Sequence, residues 1–520
     1  MITSMWQLLP NLHQSTLQHC QAQLESIKVS GLCLDSRELK PGHIFFALPG
    51  TQVDGRDFIE GAYKKNPALI VTELSDGTRS EQASYYPKLR RLELPDIGRW
   101  VGSIAAAFFG WPSRDLYLVG ITGTNGKTTT SFMIASLAQA SGINAGVMGT
   151  NGYGMLQTLL PQALTTPNPI DVQRQLAELR DQGVQLVAME VSSHALAQHR
   201  VQGCQFRAAI FTNLSRDHLD FHGDFAGYSK AKQLLFQTQD LELAVLNGDD
   251  QAVADFLTAT KAKDIVVFQQ NDVARNMSEI SQMHTTIHFN SQTPGLLEFE
   301  LYGQDIQAHH DLIGEFNNQN LLASLLVLLQ FGLSKDVLLK ALTKIVMPNG
   351  RMQKIQIQTD LAIPCVIVDF AHTPDAIERV LKSLRPLAEQ KQGRLKVVFG
   401  CGGNRDRGKR STMAVAVETY AQDIFVTADN PRFEDQAQIF ADIKVGFTAT
   451  DGNRQEPHWC PDRAQAITQA IESATADDYV VILGKGHEQY QDIKGVKYAF
   501  DDAVVAKDVL ERVFSNTKYQ

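Results

Sequence analysis

Several common features are scarce or missing in this chain of 520 residues, and each absence excludes a class of protein. Its longest apolar run, from Leu321 to Leu333, covers about 13 residues and is broken by polar ones, so it predicts a buried helix and no membrane span. The amino-terminal residues show no basic stretch followed by an apolar one, so we expect no export signal and a cytoplasmic location. The cysteines lack the spacing of a metal site, which is typical of reduced, unreactive thiols: Cys20, Cys33, Cys204, Cys365, Cys401 and Cys460.

An excess of basic charge is also missing, because the net charge is −9. This balance disfavours a polyanion-binding surface, so we expect no nucleic-acid partner, although local basic sites for small phosphates remain compatible with it. There is no low-complexity tract and no repeat of fixed period. A chain of this length is too long for one hydrophobic core, and about three domains are expected.

The most informative motif is Gly123-Thr-Asn-Gly-Lys-Thr-Thr129, which follows the apolar run 117–122 and opens a helical pattern. A strand, a Gly-rich turn and a helix N-terminus together present backbone N–H groups to an anion. In such a loop Lys127 reaches the β- and γ-phosphates and the Thr128 hydroxyl binds Mg²⁺. Ile121 stands where the strict phosphate-loop pattern has glycine, so this is a variant loop, and a Gly-rich turn that contains Lys-Thr by chance is the alternative. The motif predicts binding of ATP or a related nucleotide.

Apolar strands and helices alternate through the rest of the chain, which predicts an α/β fold with mostly parallel sheets. After a first block, residues 1–112, a central block covers 113–347 and a third, Rossmann-like block covers 348–520. In the central block we expect strands at 117–122, 144–149, 184–189, 208–213 and 243–246, a helix over 127–140, and antiparallel strands within 270–312. Another helix is expected with Asn168 as its N-cap, Pro169 at its first position and Gly183 beyond its end. The third block predicts strands at 365–369, 396–399, 424–427 and 479–483 and helices over 374–388 and 410–421. It has no G-x-G-x-x-G opening, so we do not expect a dinucleotide.

Polar side chains follow several of these strands. Glu190 ends the strand 184–189, where an acidic residue beside a phosphate loop is suited to bind Mg²⁺. Taken alone, His218 is more typical of a structural loop histidine and Lys232 of a solvated helix lysine. Arg405 and Arg432 are compatible with plain surface charge, but an arginine fork also suits a carboxylate ligand.

Five motifs in this order resemble the Mur ligase family of ATP-dependent amide-forming ligases over nearly the whole chain. They are 123–129, Glu190-Val-Ser-Ser-His194, Asp217-His218, Gly314-Glu-Phe-Asn-Asn-Gln-Asn320 and Asp369-Phe-Ala-His-Thr-Pro374. The resemblance implies three domains: a uridine-binding domain, an ATP-binding domain and a Rossmann-like domain for the incoming amino acid. It is strongest to members that add meso-diaminopimelate to UDP-MurNAc-L-Ala-D-Glu in peptidoglycan synthesis. The reaction implied consumes ATP and passes through an acyl phosphate.

The resemblance also assigns roles to residues of this chain. The lysine that matches Lys232 is carbamylated by CO₂, and two Mg²⁺ ions are held by Thr128, Glu190, His218 and the modified Lys232. Lys127, Lys232, Glu190 and His218 are the implied catalytic set. ATP would contact Gly123, Thr124, Asn125, Gly126, Lys127, Thr128, Thr129, Asn320 (adenine), Arg351 (phosphates) and Asp369 (ribose). UDP-MurNAc-dipeptide would contact Leu34, Ser36, Thr51, Gln52, Val53, Thr165, Thr166, Ser192, Gln198 and Arg200. One departure is Leu164, where the family carries Asn, so one substrate hydrogen bond is in doubt.

The third amino acid is implied by Asp429-Asn-Pro-Arg432, which looks like the version in diaminopimelate-adding relatives. The implied diaminopimelate contacts are Arg405, Asp429, Asn430, Pro431, Arg432, Gly484 and Glu488. A buried arginine left unpaired when lysine binds would discriminate against lysine by roughly 10⁴. Competing interpretations are a folylpolyglutamate synthetase, an L-lysine-adding ligase, and a nucleotide switch or transport ATPase. We expect a monomer whose partners are small-molecule substrates.

Overall fold

The structure is a computed structural model that describes residues 3–9, 14–15, 17–50, 53–73, 84–270, 284–293, 295–301, 303–447 and 456–514. The chain divides into two compact units. The first comprises Met1–Phe289 and Ala323–Lys344, and the second comprises Asn290–Leu322 and Ile345–Gln520. The boundaries of the three expected domains stay a prediction. Within the described ranges, no helix is both long enough and apolar enough to cross a bilayer.

The amino-terminal part of the first unit contains a small, mostly parallel sheet in the order β3-β4-β5-β7-β6. Its strand β4 is buried along almost its whole length because it is apolar on both faces. The elements are β1 (Thr3–Ser4), α1 (Met5–Leu8), α2 (Gln21–Ser26), β2 (Lys28–Val29), β3 (Gly31–Cys33), β4 (His43–Ala47), α3 (Ile59–Tyr63), β5 (Leu69–Glu73), β6 (Ser84–Tyr86), β7 (Arg91–Leu94) and α4 (Ile97–Phe108).

The central part is built on a larger sheet with the phosphate-loop strand in its interior. The elements that follow in the chain are β8 (Tyr117–Thr122), α5 (Lys127–Ala140), β9 (Ala145–Gly149), β10 (Gly152–Gly154), α6 (Pro169–Asp181), β11 (Leu186–Glu190), α7 (Ser193–Ala197), β12 (Ala208–Phe211), α8 (Leu219–His222), α9 (Phe225–Gln233), β13 (Leu243–Asn247), α10 (Val253–Ala259), β14 (Asp264–Gln270), β15 (Thr285–Asn290), β16 (Leu296–Leu301), β17 (Gln304–His309), α11 (Phe316–Phe331) and α12 (Lys335–Ala341). Of these, β16, β17 and the first residues of α11 fall in the second unit. Short 3₁₀ turns lie at Gln18–Cys20, Gly55–Phe58, Pro87–Leu89, Pro112–Arg114, Leu156–Thr158, Leu234–Gln237 and Leu342–Lys344.

The register of this sheet brings the predicted site residues to one edge. The strands run β10-β9-β11-β8-β12-β13-β14-β15, and all these pairs are parallel except β10 with β9. Glu190 of β11 lies opposite Ile121 of β8, and Phe211 of β12 lies opposite Thr122. The loops that follow these three strands therefore leave the sheet side by side, as expected for a switch-point site.

The second unit carries a sheet in the order β18-β19-β23-β20-β21-β22, parallel except for β18. Its elements are β18 (Gln353–Lys354), β19 (Cys365–Asp369), α13 (Pro374–Gln390), β20 (Leu395–Phe399), α14 (Gly408–Tyr420), β21 (Asp423–Val426), α15 (Gln436–Lys444), β22 (His458–Trp459), α16 (Arg463–Glu472), β23 (Tyr479–Leu483), β24 (Tyr490–Ile493), β25 (Val496–Ala499) and α17 (Asp502–Phe514). Alternate residues of β23 face two separate cores: Val481 packs with α13, α14 and α15, and Val480 and Ile482 pack with α16 and α17. Helices therefore cover both faces, which confirms the α/β class.

Most predicted elements occur within two residues of their expected bounds, and one expectation was partly wrong. Among the described residues of 270–312, β16 and β17 pair antiparallel as predicted, but β15 is parallel to β14. β15 alternates exposed and buried residues, a pattern that also fits an antiparallel strand with one wet face, so composition did not reveal its direction.

Candidate active site

A Gly-rich loop joins β8 to α5 at the carboxyl edge of the central sheet. Gly126 has φ +87°, a left-handed conformation that glycine adopts without strain, and α5 begins at the next residue. A methyl group at Gly123 would lie 1.9 Å from Oγ1 of Thr212, so the loop can approach β12 this closely only with glycine there. The backbone N–H of Asn125 donates to Oδ1 of Asn213 at 2.9 Å, and that of Thr124 donates to the Asn213 carbonyl at 2.8 Å. The loop is therefore held in shape by the chain that follows β12.

Two lysines donate to the same backbone oxygen of this loop. Nζ of Lys127 lies 2.8 Å from the carbonyl oxygens of Gly123 and Thr124. Nζ of Lys232, on α9, also lies 2.8 Å from the Gly123 oxygen and 4.5 Å from the centre of the Tyr228 ring. Lys232 is 1% exposed, and burial together with cationic Lys127 lowers its pKa well below the usual range of a lysine. Lys230, the other lysine of α9, is exposed.

A buried carboxylate lies next to the start of α5. Oε2 of Glu190, which is 1% exposed, accepts a hydrogen bond of 2.8 Å from the Thr128 hydroxyl. The same carboxylate accepts from the backbone N–H of Thr150 at 2.7 Å and from its hydroxyl at 3.1 Å. A hydroxyl and a carboxylate at this spacing are the hard oxygen donors that Mg²⁺ prefers, so the predicted Thr128–Glu190 pair fits the ion. Thr129 is also buried, in the first turn of α5.

His218 lies in the loop between β12 and α8 and is close to the lysines. Its Nε2 is 3.3 Å from a carboxylate oxygen of Asp217, and its ring centre is 6.2 Å from that of Tyr228. Burial lowers the pKa of His218, which favours the neutral imidazole that binds metals. Within the described residues, no three His, Cys, Asp or Glu side chains form a metal-binding group.

The residues expected to hold the sugar and peptide lie beside Glu190. The Thr166 hydroxyl donates to the Glu190 carbonyl at 2.8 Å and accepts from the Ser192 N–H at 3.1 Å. Nη1 of Arg200 donates to the Thr166 carbonyl at 2.9 Å, while its Nε and Nη2 donate to Oε1 of Gln198. The Thr165 and Thr150 hydroxyls are 3.1 Å apart. The structure therefore brings together Thr165, Thr166, Ser192, Gln198 and Arg200, and exposes Leu164.

The residues expected to bind uridine lie in the amino-terminal part. Leu34 and Ser36 are half-buried after β3, and the Ser36 carbonyl accepts from Nζ of Lys65 at 2.8 Å. Val53 is 59% exposed. Thr51 and Gln52 lie outside the described residues.

The remaining nucleotide residues belong to the second unit. Asp369 ends β19, is buried, and accepts from the N–H groups of Met352 at 2.7 Å and Ala371 at 2.8 Å. Burial raises its pKa, against the opposing effect of Arg351. Arg351 stacks on the Phe370 ring at 4.7 Å. Asn320, buried on α11, donates to Oδ1 of Asn317 at 3.1 Å.

Two loops of the second unit meet at the residues expected to bind an amino acid. Nδ2 of Asn430 donates to Oε2 of Glu488 at 2.7 Å. Nζ of Lys485, which is fully buried, donates to the same Glu488 oxygen at 3.0 Å and to Oδ1 of Asn430 at 3.2 Å. Gly484 has φ +113°, and a methyl group on it would lie 2.7 Å from Oδ2 of buried Asp429. The loops after β21 and β23 therefore form one hydrogen-bonded unit.

The two predicted arginines flank this unit. Arg432 has φ +51°, and its Nη1 donates to the Gly403 carbonyl at 2.8 Å. A methyl group at Gly402 would lie 3.1 Å from Nη1 of Arg432 and 3.8 Å from Cγ of Arg405, so both side chains pass the same glycine. Arg405 is exposed, and Pro431 is buried. Two guanidinium groups and a carboxylate that already pairs with Lys485 therefore belong to these loops.

Three family models match the chain in succession: "Mur ligase family, catalytic domain" over residues 28–109, "Mur ligase middle domain" over 121–328, and "Mur ligase, glutamate ligase domain" over 350–486. The chain is 40% identical over 485 residues to the UDP-N-acetylmuramoyl-L-alanyl-D-glutamate–2,6-diaminopimelate ligase of Haemophilus influenzae (strain PittEE), covering 93% of this chain and 97% of that one. The chain belongs to the Mur ligase family.

Solved Mur ligase structures share the architecture. One described as the structure of UDP-N-acetylmuramoyl-L-alanyl-D-glutamate–2,6-diaminopimelate ligase matches with a TM-score of 0.68 and 33% identity, over 98% of this chain and 99% of that chain. The MurF ligase of Thermotoga maritima, solved in complex with ADP, matches with a TM-score of 0.57 over 92% of this chain and 97% of that chain. Its identity is 14%, so this second match shows the fold alone. The three-domain α/β architecture expected for a Mur ligase is confirmed.

Sequence reasoning missed three residues that this Mur ligase places in the candidate site. Thr150 holds Glu190, and its position directly after β9 at the carboxyl edge of a parallel sheet was the available signal. Asn213 anchors the phosphate loop, and Lys485 joins Asn430 to Glu488. Asn213 ends the predicted strand 208–213 and Lys485 directly follows Gly484, but nothing in the sequence distinguished either residue from its neighbours.

Proposed function

We propose that this Mur ligase uses ATP to join meso-diaminopimelate to UDP-MurNAc-L-Ala-D-Glu, forming the UDP-MurNAc-tripeptide of peptidoglycan synthesis. The observation that carries the proposal is the identity with the H. influenzae diaminopimelate ligase along nearly the full length of both chains. The side chains around Asn430 and the phosphate loop support it, because they suit an amino acid that carries both carboxylate and ammonium groups, and a nucleotide. Because the proposed substrates are cytoplasmic small molecules, we assign the reaction to the cytoplasm. We also propose that the protein acts as a monomer.

The first chemical step must bring two anions together, because the D-glutamate carboxylate attacks the γ-phosphate of ATP. Lys127 and the N-terminus of α5 supply positive charge at that point. A phosphate oxygen is a stronger acceptor for Lys127 than the backbone carbonyls it now contacts, so nucleotide binding draws the ammonium away from Gly123. The carboxylate oxygen bonds to phosphorus, the bond to ADP breaks, and an acyl phosphate results.

Two Mg²⁺ ions are part of the proposed mechanism. Thr128 and Glu190 would hold one Mg²⁺, and His218 with a carbamate on Lys232 a second, and such ions offset the negative charge of the phosphates. The neutral amine of Lys232 is the form that adds to CO₂: its nitrogen bonds to carbon and one proton is lost. The burial of Lys232 and its nearness to Lys127 favour that neutral form.

The second step transfers the acyl group to the amino acid. The neutral amine of diaminopimelate attacks the acyl carbon, the C–N bond forms, the C–O bond to phosphate breaks, and the nitrogen loses one proton. In the proposed complex Arg432 pairs with the distal carboxylate of diaminopimelate, and Glu488 accepts from an ammonium group. Lysine has no distal carboxylate, so its binding would leave Arg432 without that partner.

Phosphate release tests the proposal. Purified protein receives ATP, Mg²⁺ and UDP-MurNAc-L-Ala-D-Glu, together with meso-diaminopimelate, L-lysine or no amino acid. Rapid release with diaminopimelate alone, and a tripeptide product detected by mass spectrometry, are expected. Equal release with no acceptor would contradict the ligase assignment, and faster release with lysine would contradict the choice of amino acid.

A further inference from the structure

A buried ion pair connects the helices that follow β22 and β25. Arg463 begins α16 and Asp502 begins α17, and both side chains are 0% exposed. Nε of Arg463 donates to Oδ1 of Asp502 at 2.7 Å, and its Nη2 donates to Oδ2 at 2.6 Å. This bidentate pairing fixes the plane of the guanidinium.

The same guanidinium also donates to two backbone carbonyls. Nη1 lies 3.2 Å from the oxygen of Ala428, and Nη2 lies 2.9 Å from the oxygen of Leu483. Ala428 directly precedes Asp429, and Leu483 directly precedes Gly484. Each carbonyl therefore belongs to the residue from which one loop of the proposed amino-acid site departs.

The sheet itself does not join these two strand ends directly. β21 and β23 are separated by β20, so no ladder hydrogen bond links them. Beyond the strand ends, the loops meet through the side chains of Asn430 and Glu488, which are 2.7 Å apart, and through backbone hydrogen bonds of Arg432 with Asp492 and Lys494. A hydrogen bond between side chains depends on the spacing of the backbones that carry them.

We propose that Arg463 is a positioning residue for amino-acid binding. Its guanidinium sets the spacing between the loop of Arg432 and the loop of Glu488, so that both can contact one diaminopimelate molecule. This role rests on the proposed function and extends it to a residue that does not touch the substrate. Lysine cannot replace Arg463, because an ammonium lacks the planar fork that reaches a carboxylate and two carbonyls together.

The test uses a double variant, Arg463→Met with Asp502→Leu. Removing both charges leaves no unpaired charge in the core, so the chain is expected to fold, while both carbonyl hydrogen bonds disappear. Because a misplacement of about 1 Å can cost 10²-fold, we expect the diaminopimelate concentration for half-maximal phosphate release to rise about 10- to 100-fold. The half-saturating concentrations of ATP and of UDP-MurNAc-dipeptide should stay unchanged.

The matched control is a second buried ion pair in the same sheet. Nζ of Lys396 lies 2.9 Å from Oδ2 of Asp423, and their side chains are 7% and 6% exposed. Both residues lie at the amino-terminal ends of their strands, β20 and β21, whereas Arg463 contacts the carbonyls beyond the carboxyl ends of β21 and β23. Lys396→Met with Asp423→Leu should lower the melting temperature without changing the diaminopimelate requirement. The positioning role would be overturned if both double variants changed the half-saturating diaminopimelate concentration equally. It would also be overturned if the half-saturating concentrations of all three substrates rose equally.

A single variant, Arg463→Lys, keeps the charge opposite Asp502 and decides the matter if the double variant does not fold. It should also raise the diaminopimelate requirement, and an unchanged requirement would overturn the proposal. In either case the unmodified protein must consume ATP in response to diaminopimelate. If it does not, the proposed function is wrong. If it does, and a variant has the same diaminopimelate requirement as the unmodified protein, only the role of Arg463 is wrong.

Discussion

Replacing Arg432 by lysine should selectively weaken the use of diaminopimelate. The backbone N–H and carbonyl of Arg432 bond to Asp492 and Lys494, so its main chain stays in place in the variant. Lysine keeps the positive charge but loses the fork, and with it one charge-assisted hydrogen bond to the distal carboxylate. Such a bond is worth about 1.5–3 kcal/mol, so kcat/KM for diaminopimelate should fall about 10- to 150-fold.

The assay is phosphate release at saturating ATP and UDP-MurNAc-dipeptide with diaminopimelate varied. Arg407→Lys is the matched control, because Arg407 is on the same loop as Arg405 but is 57% exposed and pairs with Asp442. That control should retain its kcat/KM. Comparable losses in kcat/KM for all three substrates of the Arg432→Lys variant would refute the reasoning, since they would assign Arg432 to the fold.

Three further predictions concern buried groups. Lys232→Ala should be nearly inactive, and added acetate should partly restore its activity. The control Lys230→Ala, at an exposed position, should keep its activity. Full activity of Lys232→Ala would contradict the proposed carbamate. Glu190→Gln should lower kcat about 100-fold and raise the Mg²⁺ requirement, and an unchanged Mg²⁺ titration would argue against a metal there. Burial lowers the pKa of His487 to about 4, so the folded state resists protonation of this ring. The free energy of unfolding should therefore fall by up to about 3 kcal/mol as the pH drops from 6.5 to 4. The melting temperature of His487→Gln should therefore drop less between pH 7 and pH 5 than that of the unmodified protein, and parallel drops would exclude the effect.

The parallel strands of both sheets were predictable because each is a short, continuous apolar run followed by turn residues. β8 and β23, for example, have the predicted bounds, and α6 has the expected Asn168 cap and Pro169 at its first position. The very short strands, such as β18, and the hairpin β24–β25 were not predicted. β25 is exposed and β24 is only half-buried, so no apolar pattern marked them.

The parts of the candidate site that could be predicted from the sequence are those whose residues are close together in the chain and directly follow a strand. The phosphate loop and Glu190 are of this kind, because each follows a buried strand. The contact between Asn430 and Glu488 joins loops 58 residues apart, and only the resemblance to a family suggested that they share a ligand. Arg463 and Lys485 look like ordinary surface charges in the sequence, since burial of a charged side chain depends on partners that the fold supplies.

The oxygen to which Lys127 and Lys232 both donate is the carbonyl of Gly123, an atom of the main chain. No codon change deletes a main-chain carbonyl, and any larger residue at Gly123 would collide with Thr212. An inhibitor that competes for this oxygen therefore cannot be evaded by a substitution that removes the oxygen itself. Resistance would have to arise at the two lysines, whose proposed roles in catalysis limit their replacement, or at residues farther from the loop.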